Sequence, residues 1–241
     1  MTNDSIKNSV YNRTHVYLEN RFNRTKHMFV VLADKIEEIF IHDFNYSLLD
    51  VGGASGEFVY YLNKRFPKLS LSCIDYDNKL IEIGRNKVPN CQFFVGDANN
   101  MTIFDNMQFD IATFVGTISI FDDPEISLNE CIRVTKPGGI VIVVSQFNDY
   151  PIDAIIRWKY SDDDNCPWNR GYNLFSKKTI SKLLKRNKSV KSFEWEKFRL
   201  PFDLDKQKDL IRTWTEFNGK GDRIFRNGLM EVNLQILTIY L

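Results

Sequence analysis

The sequence offers little to a membrane, to a nucleic-acid partner or to a metal. Its 241 residues contain no apolar run long enough to span a bilayer. A net charge of +1 supplies no field that would gather a polyanion. The first residues, Met1-Thr2-Asn3-Asp4-Ser5, lack the basic-then-apolar pattern of a secretory signal, so a cytoplasmic protein is expected. There are only three histidines, His15, His27 and His42, and four scattered cysteines. Cys73, Cys91 and Cys131 sit in apolar, strand- or helix-like surroundings, which predicts buried free thiols rather than disulfides or ligands. No metal site is expected. Internal repeats, low-complexity linkers and the phosphate loop G-x-x-x-x-G-K-S/T are all missing. With 43% hydrophobic and 26% charged residues, the whole of 1–241 reads as one ordinary α/β domain.

Against this background one stretch carries information: Leu48-Leu49-Asp50-Val51-Gly52-Gly53-Ala54-Ser55-Gly56-Glu57. A short apolar run ends in an acid, and a glycine-rich turn leads into a helix-compatible segment. Such a stretch joins a buried parallel strand to a helix at the carboxyl edge of a doubly wound sheet. A dinucleotide turn wants G-x-G-x-x-G, but here Gly52, Ala54 and Glu57 hold those places and two of the three fail. The turn offers a carboxylate and no phosphate-cradling cation, so its ligand is expected to be cationic rather than phosphorylated.

Downstream, strand and helix patterns alternate. Strands are predicted at 69–75, 91–95, 109–115 and 140–144. Helices begin at Phe58 and near Leu80, and another runs from about Pro124 to the stop Lys136-Pro137-Gly138-Gly139. Upstream, residues 1–25 are helix-compatible with Tyr11, His15, Leu18 and Phe22 at helical spacing. Residues 26–41 continue with an apolar face of Met28, Val31, Leu32, Ile36, Ile39 and Phe40. After 147 the pattern changes. Residues 148–172 are aromatic, acidic and Pro-containing, and read as an insertion. Ser176 is placed to cap a helix through Arg186. A strand at 190–199 is followed by strand-like runs at 210–217 and 223–237 around Asn218-Gly219-Lys220-Gly221-Asp222, a hairpin signal, and by a last strand at 234–240.

The spacing Asp50-x-Gly52-x-Ala54-x-Gly56 resembles the D/E-x-G-x-G-x-G turn of class I S-adenosylmethionine (SAM) dependent methyltransferases, with Ala54 in place of the middle glycine. Three further features match in order and spacing. Asp75 ends the second strand, where the family accepts hydrogen bonds from the ribose hydroxyls. Asp97, in Gly96-Asp97-Ala98, matches the acceptor of the adenine amino group. Arg133-Val134-Thr135-Lys136-Pro137-Gly138-Gly139 resembles the R-x-L-K-P-G-G segment before strand five. The resemblance covers about residues 45–147. It implies a Rossmann-like sheet of about seven strands, mostly parallel with an antiparallel C-terminal strand. It also implies N-terminal helices (1–44) as a lid, a cofactor-binding core at 45–147, and cap insertions at 148–175 and 200–230. Implied cofactor contacts are Asp50, Gly52, Gly53, Ala54, Gly56, Asp75, Tyr76, Asp97, Ala98, Val115 and Gly116, with SAM as cofactor and S-adenosylhomocysteine as product.

The acceptor side is less legible. The segment 113–119 lines the mouth of such sites, and it carries neither N/D-P-P-Y/F nor a His pair, so the base must come from elsewhere. His15 is the candidate base, ahead of His27 and His42. Tyr11, Ser119, Trp158, Trp168, Arg170, Tyr172 and Arg212 are the candidate acceptor-binding residues, with Arg157 and Arg223 as further cations able to grip a phosphate or carboxylate. The expected reaction is O-methylation of a small, polar, anionic metabolite such as a sugar or nucleotide-linked intermediate. The alternatives are an RNA methyltransferase, disfavoured by the neutral charge, and a catalytically silent SAM-fold binding protein. An NAD-dependent oxidoreductase is disfavoured by the glycine spacing. The oligomeric state is left open.

Overall fold

A computed structural model describes Ile6, Ser9, Tyr11 and residues 14–18, 22–40 and 45–241. The apolar run before the glycine turn forms β1 (Ser47–Val51), and its Leu48, Leu49 and Val51 are fully buried. Full burial of such a side chain contributes roughly 1.5–3 kcal/mol, so the run settles at the centre of the sheet. The chain continues through α3 (Glu57–Arg65), β2 (Ser70–Asp75), α4 (Asn78–Lys87), β3 (Cys91–Val95), β4 (Phe109–Val115), α5 (Pro124–Val134) and β5 (Thr135–Asn148). Ahead of β1 lie α1 (Thr14–Leu18) and α2 (His27–Ile39). Beyond β5 come β6 (Arg157–Trp158), β7 (Asn169–Arg170), β8 (Phe175–Ser176), α6 (Lys177–Arg186) and β9 (Ser192–Lys197). Then follow β10 (Trp214–Phe217), β11 (Arg223–Arg226) and β12 (Leu234–Tyr240).

The main sheet runs β3-β2-β1-β4-β5-β12-β9, with β8 added in parallel at the end of β5. β1 to β5 are parallel, and β12 lies antiparallel between β5 and β9. This is the expected mixed Rossmann-like sheet, one short strand larger. The chain winds outward from β1 to β3 and then returns to β4 on the other side of β1, so the strand order reverses between β1 and β4. A crevice opens at the carboxyl ends there. One face of the sheet is covered around Leu32, Ile36, Phe58, Leu62 and Ile81, and the other around Leu128, Cys131, Ile132, Ile180 and Leu184. Cys73, Cys91 and Cys131 are buried and all four cysteines are free.

Local chemistry explains where the elements depart from expectation. In α2 the buried side chains are Phe29, Leu32, Ala33 and Ile36, while Met28, Val31 and Ile39 are only half-buried. The face is rotated because Phe29 packs on Phe58, their ring centroids 5.1 Å apart. β5 begins at Thr135 rather than after the glycines. Thr135 pairs with Phe109, and the register shift between Phe109 and Ile111 absorbs the Lys136-Pro137-Gly138 excursion, where Gly138 has φ +83°. The run 210–217 is a strand only from Trp214, and 223–237 splits into β11 and β12. The hairpin pair β10–β11 stands off the main sheet, and so does the pair β6–β7. Ser176 caps α6 as its sequence indicates, accepting from the Thr179 amide at 3.0 Å.

Two glycines fix how β3 meets the helices. The Phe93 ring fills a slot between Gly56 and Gly84, and a Cβ on either would approach the ring to 2.7 Å or 2.3 Å. Gly84→Val is therefore expected to lower unfolding free energy by about 2 kcal/mol or more through overpacking, read as a fall in the urea midpoint at unchanged slope.

Candidate active site

The crevice is built by the turn that follows β1. Gly52 and Gly56 take φ values of +68° and +81°. A Cβ on Gly52 would lie 2.5 Å from the Thr117 side chain, and one on Gly53 would lie 2.5 Å from Asp50 Oδ2 and 2.6 Å from Cys73 Sγ. Ala54 also sits at positive φ, +51°. An L-residue there costs roughly 1–2 kcal/mol. The Ala54 N–H donates to Asp75 Oδ2 at 2.8 Å, which offsets that cost. The turn is further pinned by Gly52 N–H donating to the Ile74 carbonyl at 2.8 Å.

Beneath and around it lies a cavity of about 880 Å³. Asp50, Asp75 and Asp97, at or just beyond the ends of β1, β2 and β3, stand along it in the order of the strands. Gly52, Gly53, Ala54, Tyr76, Ala98, Val115, Gly116, Thr117, Ile120 and Phe121 also line it. Tyr11, Thr14 and Tyr17 of the N-terminal segment and Arg170 of β7 line it as well, as do Lys26, Phe29, Glu57 and Phe58. The N-terminal segment is tied to the core by the Thr14 hydroxyl, which donates to Asp77 Oδ2 at 2.7 Å. It is tied to the insertion by Tyr11, whose ring packs against Gly171.

Burial dominates the electrostatics. Asp50 is 2% exposed, and burial pushes its carboxyl up to about 7. The Thr113 hydroxyl, which donates to Asp50 Oδ1 at 2.7 Å, opposes this; the charge of Asp75 adds to it, and Lys26 opposes it. Asp75 is also raised by burial, although it accepts from the Asp77 and Ala54 amides. Burial, followed by the Asp50 charge, pushes the Cys73 thiol well up, so it is a packing group and not a nucleophile. Glu57, in the first turn of α3, is 8% exposed and pairs with Lys26 at 2.5 Å.

Among the expected contacts, Asp50, Gly52, Gly53, Ala54, Asp75, Tyr76, Asp97, Ala98, Val115 and Gly116 all line the cavity, as do Tyr11 and Arg170. Gly56 does not; it serves as the N-cap of α3 and seats Phe93. Other expected residues lie elsewhere. His15 is exposed on α1, because that helix turns Thr14 and Tyr17, three residues apart, toward the cavity. His27 packs near Phe198, and His42 lies outside the described residues. Ser119 is buried within the single-turn helix Ile118–Ile120, which presents Ile120 instead. Trp158 is buried edge-on to Tyr160, and Trp168 is half-buried with the Lys159 ammonium 6.0 Å from its ring. Tyr172, at φ +62°, is half-buried and uses its carbonyl to accept from Gln146. Arg212 pairs with Asp209, Arg157 with Asp122 and Arg223 with Asp203. Of the four arginines proposed as grips, Arg170 alone reaches the cavity. Lys26, Glu57, Thr14, Tyr17 and Phe121 escape a sequence reading. Only Glu57, directly after the turn, carried a signal.

Among the described residues no group of three or more His, Cys, Asp or Glu side chains is placed to hold a metal ion. Nor is any described helix long and apolar enough to cross a membrane.

Comparison with known proteins accords with this geometry. A family model described as a methyltransferase domain matches residues 49–143. The chain is 30% identical over 97 residues to the demethylmenaquinone methyltransferase of Thermotoga maritima, covering 40% of this chain and 42% of that one. It is 30% identical over 119 residues to the ubiquinone/menaquinone biosynthesis C-methyltransferase UbiE of Cereibacter sphaeroides, covering 47% and 46%. The chain thus spans less than half the length of these curated relatives. Among solved structures, the YcgJ protein of Bacillus subtilis superposes with a TM-score of 0.60 at 15% identity, covering 89% of this chain and 98% of that one. The PH0226 protein of Pyrococcus horikoshii superposes at 0.56 and 17%, covering 93% and 92%. At such identities the structures speak for the fold alone.

The buried carboxylate has a consequence for stability. An unfolded Asp50 ionises near 3.8, and the folded one near 7. Its neutral form therefore favours folding, fully so below about pH 4, and that advantage is lost as pH rises through 7. Asp50→Asn, which is neutral throughout, is expected to equal the wild type at pH 4 and to exceed it by roughly 2–4 kcal/mol at pH 8, measured by urea denaturation. An unchanged difference between the two pH values would show that Asp50 ionises as freely folded as unfolded.

Proposed function

We propose that this chain, whose residues 49–143 match a methyltransferase domain, is a class I SAM-dependent methyltransferase that transfers a methyl group from SAM to a small, ionised acceptor. The observation that carries the reading is the row of three acids along one cavity, beside a turn whose Gly52 and Gly53 have no room for a side chain. Asp50 faces a cationic ammonium, Asp75 a diol and Asp97 an exocyclic amine. These are the groups SAM presents, in that order along its length. The fit is tested at two points. A Cβ on Gly116, at φ +74°, would meet no protein atom within 4 Å, so the wall there is left open for a ligand. Glu57 lies where the N-terminus of α3 would otherwise attract a phosphate, so a pyrophosphate cofactor is repelled.

Bound SAM supplies an electrophilic methyl group that the acceptor atom attacks in line. The protein's part is to orient and to exclude water. Tyr11, Thr14 and Tyr17 close the cavity over the site, and Phe29, Phe58, Ile120 and Phe121 give it apolar walls. Arg170 stands exposed at its edge and, among the described residues, forms no ion pair. We assign it to an anionic group of the acceptor. No histidine is among the described residues that line the cavity. An acceptor that arrives already ionised, as a phenolate, an enolate or a carboxylate, needs no base. The aromatic walls favour a planar acceptor over the sugar or nucleotide-linked intermediate expected from sequence. For such an anion an oxygen is methylated with no proton to remove, whereas methylation at carbon, which the name of the UbiE relative gives for that protein, releases the carbon's proton to solvent.

The test is a calorimetric titration with SAM and S-adenosylhomocysteine, with Asp75→Ala alongside. Both ligands are expected to bind the wild type, and the variant to bind at least about 30-fold more weakly, since each hydrogen bond to a charged acceptor contributes roughly 1.5–3 kcal/mol. Absence of binding to the wild type would sink the reading.

A further inference from the structure

We propose that Thr113 is a positioning residue of this site, its hydroxyl holding the Asp50 carboxylate ionised and aimed at the ammonium group of the cofactor. The proposal rests on SAM being the ligand. Thr113 does not line the cavity; it is fully buried in β4 between Ala112 and Phe114, which are also fully buried. A hydroxyl in such surroundings is costly unless it is hydrogen-bonded, and valine, of nearly the same shape, would suit the strand better. Register brings it to its partner. Asp50 of β1 and Thr113 of β4 lie directly opposite in the parallel pair. The Thr113 Oγ1 donates to Asp50 Oδ1 at 2.7 Å.

The other carboxylate oxygen is held from the opposite side. Asp50 Oδ2 occupies the space that a Cβ on Gly53 would take. With one oxygen bonded to β4 and the other lodged beneath the turn, the carboxylate has one orientation. Few other groups bear on its charge. From β2, Asp75 and Cys73 bear on it, from β3 the neutral Cys91 thiol, and from ahead of α2 Lys26. Burial and Asp75 favour the neutral form, whereas Thr113 and Lys26 favour the charged one. The Thr113 hydroxyl can also accept from a protonated Asp50, but a hydrogen bond to a carboxylate is roughly twice as strong as a neutral one. Its net effect is therefore to keep the acid ionised near neutrality, where the ammonium group needs it.

The experiment compares Thr113→Val with Thr113→Ser, which keeps the hydroxyl. S-adenosylhomocysteine and 5′-methylthioadenosine, which has the nucleoside but no amino-acid part, are titrated from pH 5.5 to 8.5. Wild-type affinity for S-adenosylhomocysteine is expected to rise through about pH 7 as Asp50 ionises. In Thr113→Val that midpoint should move up by about one unit, with affinity near pH 7 falling roughly 5–10-fold and recovering toward pH 8.5. Thr113→Ser should follow the wild type, and 5′-methylthioadenosine should bind all three proteins alike. Superimposed profiles for the valine variant, or a loss equal at every pH and for both nucleosides, would overturn the proposal. If Thr113→Val does not fold, Thr113→Ala takes its place under the same criteria. Failure of wild type to bind either nucleoside would instead count against the cofactor. In that case the Asp50 carboxyl is titrated by carbon NMR in ligand-free protein. An upward shift on loss of the hydroxyl supports the hold on Asp50, and no shift overturns it.

Discussion

The site depends on a carboxylate held out of water. Asp50 sits at the carboxyl end of the central strand, where the order of strands reverses, and everything near it is arranged around its charge. Gly53 has no side chain because the acid and Cys73 fill that space. Thr113 carries a hydroxyl between the buried apolar Ala112 and Phe114 because the acid accepts from it. The fold is less stable for holding this group ionised, and on the proposed reading a ligand carrying a cation recovers what the ligand-free protein gives up. This trade of stability for a pre-set binding site is common where function requires a buried charge.

What could be read from the sequence follows from how local each signal is. The strand–turn–helix at 48–57 and the acids Asp75 and Asp97 are fixed by spacing along the chain, and the fold places them on one cavity. The helix cap at Ser176 and the hairpin about 218–222 were legible for the same reason. Residues that reach the cavity through tertiary packing were not. Lys26 and Tyr17 stand on ordinary helical patterns, and nothing in their neighbourhood distinguishes them from residues facing solvent. The aromatics Trp158, Trp168 and Tyr172 misled because an aromatic-rich insertion looks the same whether it packs inward on itself or stacks on a ligand. Trp158 is buried with the ring of Tyr160, two residues along, edge-on to it.

The arginines show the same limit in electrostatic form. Four were candidates by charge alone, and three are neutralised by aspartates at a distance set by the fold: Asp122, Asp209 and Asp203. Two of these partners lie at least twenty residues away in sequence. The cation that remains at the cavity, Arg170, lies in the short β6–β7 pair, a piece of chain outside the region that the methyltransferase family shares. The three acids that line the cavity thus lie within the matched residues 49–143, and the exposed arginine lies outside them.

The closure over the cavity bears on the timing of turnover. Tyr11, Thr14 and Tyr17 line the same cavity as the three acids, so a segment far from the glycine turn in sequence forms part of its wall. What holds it includes the Thr14–Asp77 hydrogen bond and the packing of Tyr11 on Gly171. A part-buried hydrogen bond to a carboxylate contributes at most roughly 1.5–3 kcal/mol, so this tie alone holds the segment weakly. Thr14 meets Asp77, the residue that caps α4 two positions after Asp75. The tie is thus anchored two residues from one of the three acids that line the cavity, so on the proposed reading the departure of product belongs to the N-terminal segment as much as to the chemistry beneath it.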